Sequence, residues 1–435
     1  MTQRRIFLLV AIVFMLVLQA VPGLATQDSV DRGRAKDCSL PLTGFVPLTD
    51  LAEGTYQGAE GGLYPGGTNE LPASHATLGL WQASQIQPLD SDGFPDTNGK
   101  IVLVSIGVSN TWREFKPFAS DAIGIAAPDV VLVNGAQGGE PISKWLNLDD
   151  ETWGTVDDEL LKANVTPGQV QVAWVKLPER ITSIEELEPF PIDAQTYQAD
   201  LGQVLRVAKE RFPNLRVAFL SSRIYAGYAT TVEPSPEPLA YQNGFGVKWT
   251  IQQQIDGDLE LNADPRRGEV NAPWIAWGPY IWADGTSPRS DGLVWNCNDI
   301  RGDGVHPSNR GSQKVADILL EHFATDPAAA PWFLPDGTAI SAFELPPLPE
   351  GEIVTTTIAG APAASSTTSA ETSRVTDASG RADTRDRQER QDQAQERPSE
   401  SDTVDSSLVF GATVFILILV LGAVALIARS RSKRE

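Results

Sequence analysis

The chain has 435 residues and carries 56 acidic against 34 basic side chains, a formal net charge of −22. That balance argues against nucleic acid and anionic membrane surfaces as partners. With 2 cysteines, 3 histidines and no CxxC spacing, the chain offers no zinc-type ligand set, and no motif calls for a metal or cofactor.

In chain order, residues 1–25 open with Arg4 and Arg5, continue as an apolar run and close on small residues. This is the pattern of a secretory signal peptide; an uncleaved N-terminal anchor is the alternative. Residues 26–99 form a loop-rich extension with the turn-forming stretch Gly61-Gly-Leu-Tyr-Pro-Gly-Gly67. His75 lies here, as a structural or a substrate-lining residue. Residues 100–345 hold the main domain. Residues 346–407 are first rich in Pro, Ser and Thr, then charged, and cannot bury enough apolar surface to offset ordering entropy, so they read as a disordered stalk. Residues 408–428 are apolar, uncharged and long enough for one transmembrane helix, and residues 429–435 form a basic tail that belongs on the cytoplasmic side. The expected arrangement is a single-pass protein of the cell membrane with its N-terminal domain extracellular. In that oxidising compartment Cys38 and Cys297 are expected to form one disulfide.

Within the main domain, short apolar runs at 101–106, 130–134, 170–175, 217–220 and 274–277 read as strands. Helical spacing appears at 194–212 and 312–324, and at 237–254 with interruptions at Gly244 and Gly246. Such alternation predicts an α/β fold with a mostly parallel sheet and helices on both faces.

Three stretches carry chemistry. Ile101-Val-Leu-Val-Ser-Ile-Gly-Val-Ser-Asn-Thr111 puts Ser109 just past a strand end, where ligands bind in open α/β sheets. Arg301-Gly-Asp-Gly-Val-His-Pro-Ser308 places Asp303 three residues before His306 in a glycine-containing loop. At that spacing the carboxylate can orient one ring nitrogen while the other acts as a base, so Ser109, His306 and Asp303 form a candidate Ser-His-Asp set. Ser308 or Ser312 would cap the helix that follows. Val133-Asn-Gly-Ala-Gln-Gly-Gly-Glu140 has closely spaced glycines whose amides could face a developing oxyanion, or could simply turn the chain.

The order Gly-x-Ser-Asn, Asn-Gly-x-x-Gly-Gly, Asp-x-x-His-Pro-Ser resembles the SGNH (GDSL-like) lipase/esterase family over about residues 100–324. The resemblance implies a three-layer α/β/α flavodoxin-like fold and ester hydrolysis through an acyl-serine. It implies Ser109 as nucleophile, Asp303 and His306 as its partners, and Gly139 (or Gly138) with the Ser109 amide as the oxyanion hole. The chain departs from the family in two places. Val108 stands where the family has Asp, and the third block, Gly-x-Asn-Asp, is replaced by Val172-Ala-Trp-Val-Lys-Leu-Pro-Glu179. The missing side-chain amide would have to come from Asn134, Gln137, Lys176 or Asn110.

Trp274, Trp277 and Trp282, interleaved with polar residues, would suit the faces of a carbohydrate ester, or would be ordinary core packing. His322, within the last predicted helix, reads as a surface or half-buried residue. The expected function is a membrane-tethered extracellular serine esterase. The alternative is a catalytically weak or inactive surface carbohydrate-binding protein on the same fold.

Overall fold

A computed structural model describes residues 36–179, 186–231, 236–337 and 343–348. The signal peptide, the stalk beyond residue 348, the membrane span and the basic tail expected from the sequence lie outside them. No helix among the described residues is long and apolar enough to cross a membrane.

The five apolar runs pair into one sheet: β1 Ile101–Gly107, β2 Val130–Asn134, β3 Val170–Lys176, β4 Val217–Leu220 and β5 Trp274–Trp277. All four pairings are parallel, in the order β2-β1-β3-β4-β5. Every residue of β1, β3, β4 and β5 is buried. That burial is why these strands read as unbroken apolar runs instead of alternating ones. Parallel neighbours require crossovers, and helices supply them. They are α1 Ala73–Ser84, α2 Ser109–Asp121, α3 Glu151–Lys162, α4 Ile192–Arg211, α5 Leu239–Ile255 and α6 Asn309–Thr325. On one face α2 packs against α6, and Phe219 of β4 meets His322 and Phe323 of α6. On the other face α4 packs against α5, and Trp153 of α3 meets Phe212 at the end of α4. The result is a three-layer α/β/α domain with the flavodoxin-type strand order. Its order reverses between β1 and β3, so a crevice for ligand opens at their carboxyl ends.

The helices α2 and α3 had not been read from the sequence, and two further readings change. The extension before β1 contains the twelve-residue helix α1. In addition, α5 runs unbroken through Gly244 and Gly246. A Cβ on Gly246 would stand 2.4 Å from Tyr197 Cδ1 and 2.9 Å from the Ala194 carbonyl. The glycine therefore lets α4 and α5 approach closely; it does not end the helix. Ser308 caps α6, its Oγ accepting from the Gly311 amide at 3.3 Å.

The N-terminal arm is strapped to the loops near the carboxyl edge. Cys38 and Cys297 form a disulfide. Lys36 Nζ donates to the carbonyls of Cys297 and Ile300, and the Asp284 carboxylate accepts from the amides of Thr43 and Gly44 and from Thr43 Oγ. The disulfide spans 259 positions, so it removes much of the freedom of the unfolded chain. Replacing both cysteines with Ser is expected to lower unfolding free energy by about 2–5 kcal/mol. A urea titration of the two proteins checks this, and coincident midpoints would overturn it.

Candidate active site

β1 delivers Ser109 to the crevice. Gly107, the last residue of the strand, can carry no side chain: a Cβ there would lie 2.2 Å from Thr111 Oγ1 and 2.6 Å from the Lys176 carbonyl. Thr111 Oγ1 itself donates to that carbonyl at 2.6 Å, pinning the first turn of α2 to the end of β3. Val108 is extended (φ −101°, ψ −167°) and Ser109 is the first helical residue. The amides of a first turn have no acceptor within their own helix, so the Ser109 N–H is free of intrahelical bonding.

The partner loop comes from the other end of the chain, carried by the packing of α6 on α2. Ser109 Oγ–H donates to His306 Nε2 at 2.6 Å. His306 Nδ1–H faces Asp303 Oδ2 at 3.2 Å. The loop is closed by the Arg301 amide donating to the His306 carbonyl at 2.8 Å. It is tied to α2, the helix of Ser109, by Asn110 Nδ2, which donates to the Val305 carbonyl at 3.1 Å. Asp303 Oδ1 accepts from the amides of Val305 and His306 at 3.0 and 2.9 Å. Partial burial alone would raise the Asp303 carboxyl, but the His306 ring bond and the two amides outweigh it and hold it at about 2. A pKa held below its unfolded value contributes stability that is complete above about pH 4 and is lost as pH falls through about 2. The carboxylate that orients His306 is thus ionised throughout the neutral range.

Opposite this pair stands the glycine loop after β2. The Gln137 amide donates to the Gly107 carbonyl at 2.8 Å, which holds the loop over the end of β1. Gly138 lies against Ser109, its Cβ position 3.7 Å from Ser109 Cβ. Gly139, the residue expected there, takes φ +86° with nothing within 4 Å of its Cβ position, and so turns the loop. The contact with Ser109 is shifted by one residue because the left-handed bend falls at 139.

Each side chain considered as an oxyanion donor is engaged elsewhere. Asn134 donates to the Trp112 carbonyl at 2.9 Å and accepts from Ser105 Oγ at 2.9 Å, fastening β2 to β1 and α2. Gln137 donates to the Thr152 carbonyl at 2.7 Å, and Asn110 holds the histidine loop. Lys176 is buried and donates to Glu114 Oε2 at 2.5 Å. Through these bonds Asn134 fastens β2 to β1 and α2.

Glu114, on α2, was not singled out by any motif. Its side chain has 0% exposure and Lys176 has 1%. Burial pushes the Glu114 carboxyl up and the Lys176 ammonium down, against the attraction each has for the other. Glu114 also lies close enough to His306 for their charges to interact. No helix was read from the sequence over residues 109–121, so nothing there marked Glu114 as buried.

The tryptophans pack in the core. Trp274, Trp277 and Trp282 are buried, and each indole N–H is satisfied internally, by the carbonyls of His75 and Leu63 and by Glu237 Oε1 respectively. Their large apolar area was the overriding demand. His75 is structural: its Nε2 meets the Ile275 carbonyl at 2.8 Å, and burial lowers its pKa to about 4. His322 is half-buried against Phe219, likewise lowered by burial to about 4. No group of His, Cys, Asp and Glu among the described residues could hold a metal ion.

No protein-family model and no curated protein matches this chain. Among solved structures it is similar to a Parabacteroides merdae ATCC 43184 protein assigned as a GDSL-like lipase, at 13% identity and a TM-score of 0.27, over 54% of this chain and 96% of that one. It is also similar to the salicylyl-acyltransferase SsfX3 from a tetracycline biosynthetic pathway, at 13% identity and a TM-score of 0.28, over 54% of this chain and 58% of that one. At such scores these likenesses add no weight to the geometry of Ser109, His306 and Asp303.

Proposed function

We propose that this protein is a serine hydrolase that cleaves a carboxylic ester through an acyl-serine, tethered at the outer face of a membrane by its C-terminal segment. One observation carries the reading: Ser109 Oγ lies 2.6 Å from His306 Nε2, whose Nδ1 lies 3.2 Å from Asp303 Oδ2. That is the nucleophile, base and orienter chain of acyl transfer. His306 takes the Ser109 proton as Oγ attacks the ester carbonyl. The Ser109 amide and the Gly138–Gly139 turn stabilise the tetrahedral oxyanion. His306 then protonates the leaving alcohol, and a water deprotonated by His306 releases the acid.

The engagement of Asn134, Gln137, Asn110 and Lys176 elsewhere favours a second reading, a binding protein with little turnover. One missing oxyanion donor costs about 100- to 1000-fold in rate. A fluorophosphonate separates the two readings, because it reports an activated serine regardless of turnover. The purified ectodomain is expected to gain one phosphonyl group, found by peptide mass analysis on Ser109. Folded protein that remains unlabelled would remove the hydrolase reading.

A further inference from the structure

The outer face of α2 carries more than Ser109. At about 3.6 residues per turn, Ser109, Trp112, Arg113 and Lys116 share that face, opposite the buried Glu114, Phe115 and Phe118. Trp112 and Lys116 are exposed, and Ser109 and Arg113 are half-buried. Helix neighbours three and four apart have Cβ atoms about 5–6 Å from each other, so Trp112 and Arg113 both flank Ser109. Helical side chains also lean toward the N-terminus, which carries both over the turn that holds Ser109. Arg113 continues the side of α2 on which Asn110 grips the histidine loop. Arg301 stands in that loop and is exposed. Its amide donates to the His306 carbonyl at 2.8 Å, beside the bridge between Ile300 and Pro307.

Among the described residues, the basic side chains with neither a hydrogen bond nor an ion pair are Arg113, Lys116, Lys144 and Arg301. All but Lys144 stand around Ser109 and His306, in a chain whose formal net charge is −22. Arg113 Nε is buried without an acceptor, so the fold itself leaves this guanidinium incompletely bonded. Burial and the nearby Arg301 charge disfavour the Arg113 cation, while Asp303 favours it. Asp303 is already committed, its Oδ1 to two amides and its Oδ2 to the His306 ring. Lys116 Nζ rests on the Trp112 ring, 5.3 Å from its centre. An oxyanion placed between Arg113 and Arg301 relieves their repulsion, and a guanidinium fork matches its two oxygens.

We infer that Arg113 and Arg301 form a specificity subsite for an oxyanion, a phosphate or a carboxylate, on the alcohol part of the ester, with Lys116 adding to the local positive field. The inference rests on the hydrolase reading and names its substrate class, an ester whose leaving alcohol carries a negative charge. His306 sets the side. It protonates the leaving oxygen, so the alcohol part lies toward the histidine loop, where both arginines stand. The chain as a whole repels anions, so a preference for one reports this local cluster.

The test compares kcat/KM of the intact protein for the acetate esters of 3-hydroxypropyl phosphate, 4-hydroxybutyrate, butan-1-ol and 3-hydroxypropyl-trimethylammonium. The better anionic ester is expected to exceed the neutral one by about tenfold or more and the cationic one by more, and it names the oxyanion. That preference is expected to fall below about threefold in Arg113→Gln and in Arg301→Gln, so either variant suffices if the other does not fold. Lys162→Gln removes one positive charge from the exposed end of α3 and is expected to keep the parent preference. No preference for either anionic ester, a preference unchanged in the folded arginine variants, or an equal loss in Lys162→Gln would overturn the subsite. Should the protein hydrolyse no ester and take no fluorophosphonate, the hydrolase reading fails on its own account. Calorimetric titration with n-propyl phosphate and with butyrate then decides the subsite. Binding of either to the parent but not to the folded arginine variants upholds it; no binding, or equal binding to parent and variants, overturns it.

Discussion

Ser109→Ala and His306→Ala, made singly and together, are each expected to lower kcat for a p-nitrophenyl ester by roughly 10⁴- to 10⁶-fold. The double variant should be little worse than either single one, because a nucleophile without its base and a base without its nucleophile are the same loss. Asp303→Asn should cost about 10⁴-fold by leaving His306 in the wrong tautomer, although the Asn could still accept from the Val305 and His306 amides. Residual hydrolysis from the backbone donors is expected in all of them. Multiplicative losses in the double variant, or a Ser109→Ala protein retaining about a tenth of the parent kcat, would take Ser109 out of the chemistry.

The second large effect concerns stability. Lys176→Met leaves the Glu114 carboxylate in the core without its ammonium, and Glu114→Gln leaves Lys176 there without its carboxylate. Each is expected to destabilise by about 3–5 kcal/mol, because one charge is stranded away from water. The joint replacement Glu114→Leu with Lys176→Met should recover most of that loss, since an apolar pair of similar volume has no desolvation to offset. Urea midpoints of the four proteins measure this. Single variants as stable as the parent would show that the pair is not charged in the folded protein. The pair lies under the catalytic edge: the Lys176 carbonyl accepts from Thr111, and Glu114 is one turn further along α2 than Asn110. Ester turnover in the double variant therefore also reports whether the ion pair holds Ser109 in place.

Much of the fold is legible along the chain. The five strands stand out as apolar runs because a parallel sheet buried on both faces requires them to be apolar throughout. Asp303 and His306 are also legible, since three residues of loop fix their separation whatever the remainder of the chain does. Ser109 is placed by the strand that precedes it, and the cysteine pairing needs only two cysteines in one compartment.

What was misread depends on contacts remote in sequence. Gly246 looked like an interruption, yet it marks the crossing of α5 over Tyr197 and Ala194 of α4. The aromatic run 274–282 left a sugar platform and ordinary core packing both open, and its rings fill the core beside β4, α1 and α5. Asn134 carries the residue type an oxyanion hole needs, but the Trp112 carbonyl lies within its reach. Local periodicity and short motifs determined the five strands, three of the helices and the candidate Ser109, His306 and Asp303, because those depend on neighbours a few residues apart. The tertiary structure alone decided that Gly138 lies against Ser109 and that the buried Glu114 and Lys176 pair with each other. Those outcomes are set by which surfaces meet when α2 closes on α6 and α4 on α5, and such distances are written nowhere in a linear pattern.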